Sequence, residues 1–190
     1  MSALFRPAIV LFLAMTLITG IAYPLVVTGI AQAIFPTQAA GSILTRNGAP
    51  AGSTLIGQAF SDPKHFWSRP SATSPQPYNG LASGASNLGP LNPALTDGIK
   101  SRIDALHVVD PGNKAAIPVD LVTASASGLD PDISLAAAYY QAPRIARERG
   151  LSRQAVETLI AAHARDRWLG ILGEPRVNVL ELNLALDAMK

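Results

Sequence analysis

Residues 7–35 read PAIVLFLAMTLITGIAYPLVVTGIAQAIF, and no residue in them carries a charge. Wound as a helix at about 1.5 Å per residue, this run is roughly 43 Å long, more than the ~30 Å hydrocarbon core of a bilayer. The apolar region of a secretory signal spans only about 7–15 residues, so a retained anchor is the first reading. Ala31-Gln32-Ala33 has the small-x-small form of a cleavage site, and a cleaved signal is the alternative. Arg6 and the free amino terminus flank the near end, and the next charge on the far side is Arg46. By the positive-inside rule the N-terminus lies in the cytoplasm. The expected division is a cytoplasmic tail (1–6), a transmembrane helix (7–35), a linker with the first strands (36–57) and an extracytoplasmic α+β domain (58–190). The location that follows is the cell inner (plasma) membrane, single-pass, with the main domain periplasmic. Thr16, Gly20 and Pro24 interrupt the apolar run. A small-xxx-small pair beside a proline kink suits packing against other membrane helices, and equally suits a plain anchor.

Working outward, the apolar excess is local. The chain is 48% hydrophobic, yet 25 of the first 35 residues are apolar and the remainder has an ordinary globular composition. That excludes a polytopic membrane protein and a disordered chain. Fifteen basic residues against 13 acidic ones leave no electrostatic footprint for nucleic acid. The same balance argues against a cation-attracting funnel, which would need net negative charge. With no cysteine, disulfides, thiolate metal sites and a cysteine nucleophile are excluded.

Short strands are expected at 42–44 and 54–60, joined through a turn at Asn47-Gly48. Residues 61–93 hold six prolines and three glycines, with no charge from Pro70 to Thr96. Composition alone suggests a flexible linker, but Phe66, Trp67, Tyr78, Leu81, Leu88 and Leu91 argue for an ordered, irregular loop lying on the domain. Asn92-Pro93 opens a helix carrying Leu95, Ile99, Ile103 and Leu106. A strand is expected at 117–123. Asp130-Pro131 reads as the start of a helix that breaks at Pro143. Ser152 caps a third helix, with Leu169 on its apolar face and Gly170 at its end. Asn178-x-x-Glu181 resembles a capping box for a terminal helix, while the alternation of Leu180, Leu182, Leu184 and Leu186 suits a strand.

Catalytic signatures are missing from the sequence. It has no P-loop, no G-x-G-x-x-G and no H-E-x-x-H, and Ser86 lacks the glycine pattern of a nucleophile elbow. His65, His107 and His163 lack metal-ligand spacing. Two clusters invite comparison with anion sites. Residues 125–132 are read as a capped helix start, since Asp130 and Asp132 would repel an anion. Arg144, Arg147, Arg149 and Arg153 are read as a solvated face.

Six segments in register carry a resemblance. They are Gly57-Gln58-Ala59-Phe60, Phe66-Trp67-Ser68-Arg69-Pro70-Ser71-Ala72 and Ser86-Asn87-Leu88-Gly89-Pro90-Leu91-Asn92-Pro93. Val119-Asp120-Leu121-Val122-Thr123, Ser127-Gly128-Leu129-Asp130-Pro131 and the run from Gly173 to Asn183 complete the set. Behind an N-terminal anchor, this order resembles the C subunit of the Kdp potassium-transporting ATPase. The resemblance implies a non-catalytic accessory subunit of a potassium uptake complex. Its partners would be a channel-like potassium-binding subunit, a P-type ATPase subunit and a small single-helix subunit, with membrane lipid around the anchor. It also implies a catalytic chaperone that raises the ATP affinity of the ATPase subunit, with ATP as the possible ligand and Gln141 and Arg144 as the nucleotide-linked residues. The topology conflicts with direct contact, because ATP is hydrolysed in the cytoplasm and these two residues are expected outside. The expected docking surface is the uncharged loop, with Phe66, Trp67, Tyr78, Asn87, Leu88 and Pro90. An anchored periplasmic binding protein or hydrolase acting alone is the alternative.

Overall fold

In the apolar N-terminal segment the missing N–H of Pro24 shapes the helix. A computed structural model describes residues 2–189, in which α1 (Ser2–Leu17) and α2 (Tyr23–Ile34) are joined by a π-helical turn at Ile18–Ala22. There the Tyr23 N–H reaches Ile18 O, five residues back, which absorbs the break in the i→i−4 ladder beside Pro24. Thr16 and Thr19 donate their hydroxyls to Phe12 O (2.8 Å) and Met15 O (2.7 Å), so both hydroxyls are satisfied within the helix. Leu4–Ile34 is long and apolar enough to cross a membrane. A single turn, α3 (Pro36–Ala39), follows.

The chain divides into two compact units after Ile43. The second is a mixed helix and sheet domain, which agrees with the α+β expectation. β1 (Ile43–Arg46) and β2 (Ala49–Ser53) form a hairpin through Asn47 and Gly48, both at positive φ. The return strand lies earlier than the expected 54–60, because a two-residue turn sets it immediately after Gly48; Pro50 is tolerated in so short a ribbon. Residues 54–92 run as turns and irregular chain. In α4 (Pro93–Val109) the Asn92 side chain accepts the Ala94 N–H, as a cap should.

Three expectations are corrected downstream. Residues 117–123 form no strand but a 3₁₀ turn at Val119–Leu121. Val119 is exposed while the adjacent Leu121 and Val122 are both buried, and Asp120 accepts the Ser134 N–H (2.7 Å) and hydroxyl (3.1 Å). The next helix starts after Ser134, not at Asp130. Asp132–Ser134 is a strand, β3, and α5 (Leu135–Arg149) runs through Pro143 without breaking. Ala142, Arg144, Ile145 and Ala146 around the proline are all buried, and this packing outweighs a helix penalty of about 3 kcal/mol. Gly150, at φ 66°, closes α5 in the left-handed region. Finally, α6 (Arg153–His163) stops before Leu169. Ala164–Arg165 (β4) turns away to pair with β5 (Arg176–Asn178), and Leu169 is exposed.

The sheet order is β3-β5-β4, antiparallel, with Val177 between Ile133 and Ala164. The terminal element is a helix, α7 (Val179–Ala188), with Asn178 accepting the Glu181 N–H. The period-two leucines arise because α7 is buried on more than one side, against α6 and β5. Ile133, Ile145, Val156, Ile160, Leu182 and Leu186 fill the core where α5, α6, α7 and the sheet meet. Each contributes about 1.5–3 kcal/mol by burial.

Candidate functional site

One loop segment, Pro63–Trp67, is held against the core by its backbone. From α7, the buried Asn183 accepts the Phe66 N–H (2.8 Å) and donates to Phe66 O (3.0 Å). From α5, Gln141 accepts the Trp67 N–H (2.8 Å) and donates to Trp67 O (3.2 Å). The two amides grip successive residues as a neighbouring strand would. Gln141 also donates to Ala137 O (3.3 Å) and accepts from Arg144 (2.7 Å), which engages all four of its hydrogen-bonding positions. Arg144 lies one helical turn on, so both side chains share a face of α5. Its guanidinium donates to Pro63 O and to His65 O (3.1 Å) and lies 5.2 Å from the centre of the Trp67 ring. Arg144 is 1% exposed, and burial pulls its pKa down to about 10, so it stays charged at neutral pH.

Beside this clamp, Asp187 gathers three partners. It accepts from Arg46 (2.5 Å), Arg149 (2.5 Å) and the His65 ring (3.0 Å). Burial pushes its carboxyl upward, but the bonds from Arg149, His65 and Arg46 outweigh this and hold its pKa below the usual carboxylate value. Hairpin, loop, α5 and α7 are thereby joined at one acidic residue.

The family described as "K+-transporting ATPase, c chain" matches residues 5–188. This chain belongs to the KdpC family. The Potassium-transporting ATPase KdpC subunits of Polaromonas naphthalenivorans and Variovorax paradoxus are each 66% identical to it. They align over 100% and 99% of this chain and 97% of their own length. That of Methylibium petroleiphilum is 62% identical over the whole of both chains. The resemblance seen in the sequence is therefore correct, and the KdpC-family chain is an accessory subunit of the potassium uptake complex.

Gln141 and Arg144 of this family member lie together, buried, with their polar atoms turned onto loop backbone. The basic cluster around them does not form one surface. Arg147 pairs with Asp110 (3.0 Å), Arg149 with Asp187, and Arg153 with Glu157 (2.6 Å). Among the expected docking residues, Phe66 is corrected: it is fully buried, a core side chain with no surface to offer. Trp67, Tyr78 and Leu88 are half-buried, and Asn87 and Pro90 are exposed. The Tyr78 hydroxyl donates to Arg69 O (2.5 Å), and burial lifts its pKa to about 12. Ser71 ties the loop to the 125–132 segment, donating to Gly128 O (2.7 Å) while accepting the Tyr78 N–H (2.9 Å). Gly128 must be glycine here: its φ is +68°, and a Cβ would overlap the Thr73 methyl and Gly84 O.

Two features escape a reading of the sequence. Asn183 is a lone amide in a leucine-rich helix, and that misfit is its only signal. Nothing local marks Asp187, whose partners are distant in the chain. At the loop surface, Leu81 and Leu91 are 99% and 96% exposed. Between the loop and the sheet lies a cleft of about 540 Å³, lined by Arg69, Asp120, Asp130, Asp132 and Arg176 among others. Its charges are largely mutual: Arg69 meets Asp130 at 3.2 Å and Arg176 meets Asp132 at 2.8 Å.

Proposed function

We propose that this subunit is non-catalytic and works by assembly. It is anchored in the inner membrane by helix 7–35, with its amino terminus in the cytoplasm and its domain outside. The irregular loop docks on a channel-like potassium-binding subunit, and the complex is completed by a P-type ATPase subunit and a small single-helix subunit. The observation that supports this most directly is the occupancy of Gln141 and Arg144, which hold the loop's backbone in place. A Gln141 with every position engaged has nothing to offer a nucleotide without releasing Trp67. Any effect on the ATP affinity of the ATPase subunit is then a coupling free energy carried through packed elements, not a contact with ATP.

Leu81 and Leu91 are the contact residues, since large apolar side chains this exposed on a pinned loop suit burial by a partner. The test is co-purification of the assembled complex with Leu81→Asp/Leu91→Asp. Recovery of the other subunits falls while melting of the isolated chain is unchanged; full recovery refutes the docking surface. Alkaline phosphatase fused after Lys190 is expected to be active. An inactive fusion beside an active cytoplasmic reporter at the same site refutes the topology.

A further inference from the structure

The β4–β5 connection ends in an apolar tip. Trp168, Leu169, Ile171 and Leu172 are 67%, 73%, 74% and 54% exposed, four large side chains on a five-residue turn. The turn is closed on itself. Trp168 and Leu172 exchange both backbone bonds (2.8 and 3.0 Å), Ile171 N–H reaches Trp168 O (3.2 Å) and Gly170 N–H reaches Arg167 O (3.1 Å). Leu169 and Gly170 both have positive φ, the sign pattern of a type I′ turn. The first position of such a turn favours asparagine or glycine, and leucine there is strained. A residue kept in strain so that its side chain points outward suggests that the side chain has a use.

We propose that this tip inserts into the lipid headgroup–acyl boundary of the membrane that holds the chain's own anchor. Four observations favour lipid. The shape is a convex wedge, not a flat patch. The N–H groups of Trp168, Gly170, Ile171 and Leu172 are already bonded locally, which lowers the cost of taking the turn out of water. A tryptophan at the tip suits the interfacial layer. Its stem is charged but compensated, with Arg167 on Glu174 (2.6 Å), Arg165 on Glu181 (2.7 Å) and Arg176 on Asp132 (2.8 Å). The proposal rests on the anchored reading of helix 7–35. Leu44 follows the end of α2 by ten residues, a tether of at most about 35 Å. That keeps the tip at high effective concentration near the surface, where weak insertion suffices.

The test uses the full chain in phosphatidylcholine–phosphatidylglycerol vesicles carrying a shallow doxyl-labelled lipid. Trp67 and Trp168 are its two tryptophans, and helix 7–35 has none. Co-flotation with vesicles reports the anchor separately from the tip. The expected result is quenched, blue-shifted Trp168 emission, a component absent from Trp168→Phe and lost in Leu169→Asp/Ile171→Asp while co-flotation persists. Unquenched, water-like Trp168 emission in a chain that floats overturns the proposal and leaves the anchor intact. Shielding of Trp168 that arises only after co-reconstitution with the other ATPase subunits also overturns it, and assigns the tip to a protein interface.

Discussion

Gln141→Ala separates a structural clamp from a nucleotide contact. The substitution removes the acceptor of the Trp67 N–H, the donor to Trp67 O and the side-chain acceptor of Arg144, and leaves Asn183 on Phe66 in place. An orphaned buried backbone group costs about 1–3 kcal/mol, and two are created at Trp67. Trp67 is half-buried, so water recovers part of this, and about 3 kcal/mol is a fair expectation. For a domain of this size, each kcal/mol moves Tm by about 2–4 °C, giving a fall of roughly 6–12 °C. Both tryptophans lie in the domain, so tryptophan emission of the full chain in micelles follows that unit without interference from helix 7–35, which has none. Gln141→Glu keeps the acceptor for Trp67 and Arg144 but turns a carboxylate oxygen toward Trp67 O and Ala137 O. It is expected to lie between the parent and the alanine variant. The reasoning is refuted if Gln141→Ala melts with the parent while the assembled complex loses ATP affinity, because the glutamine would then act on nucleotide without holding the loop.

The depressed pKa of Asp187 fixes the sign of a pH effect. Its stabilising contribution is complete above the unfolded carboxylate pKa of about 4 and is lost as pH falls through the lower folded value. Asp187→Asn is therefore less stable than the parent at neutral pH, and the gap narrows below about pH 4, as denaturant titrations across that range will report. Two glycines give opposite signs by the same thermal melt. Gly128→Ala, at positive φ and in overlap with Thr73 and Gly84, destabilises by about 1–3 kcal/mol. Gly98→Ala, inside α4 with open space around it, stabilises by about 0.5–1 kcal/mol.

Local signals in the sequence were reliable wherever the cause was local. An uncharged run fixes a membrane-length helix, and Asn92, Ser152 and Asn178 cap the helices they were expected to cap. Apart from the early return strand after Gly48, the errors share one source, tertiary packing that overrides a local rule. Pro143 should end a helix, but three buried neighbours and Ile145 keep α5 continuous. Leu169 falls at helical spacing behind Ile160, yet β4 leaves the helix four residues after it to complete the sheet. Phe66 has the composition of an exposed aromatic in a proline-rich loop and is instead core. The clamp could not be read at all. Gln141 and Asn183 find Trp67 and Phe66 across separations of 74 and 117 residues, and a glutamine on a helix gives no sign of which backbone it will meet.

What the clamp provides is a loop that is irregular without being loose. A segment of this length lacking helix and strand would ordinarily carry a large ordering cost on binding, about 0.5–1.5 kcal/mol for each immobilised side chain alone. Here that cost is met on folding. Asn183, Gln141 and Arg144 fix residues 63–67, Ser71 and Tyr78 fix the next stretch, and Gly84 N–H on Ser127 O (2.9 Å) fixes the one after. Leu81 and Leu91 are thereby presented from a frame that is already fixed on folding. A partner that covers them gains burial while ordering little. The same reasoning makes the loop a poor place for a transient nucleotide contact, since any ligand drawing on Gln141 or Arg144 would have to undo the frame that gives the loop its shape.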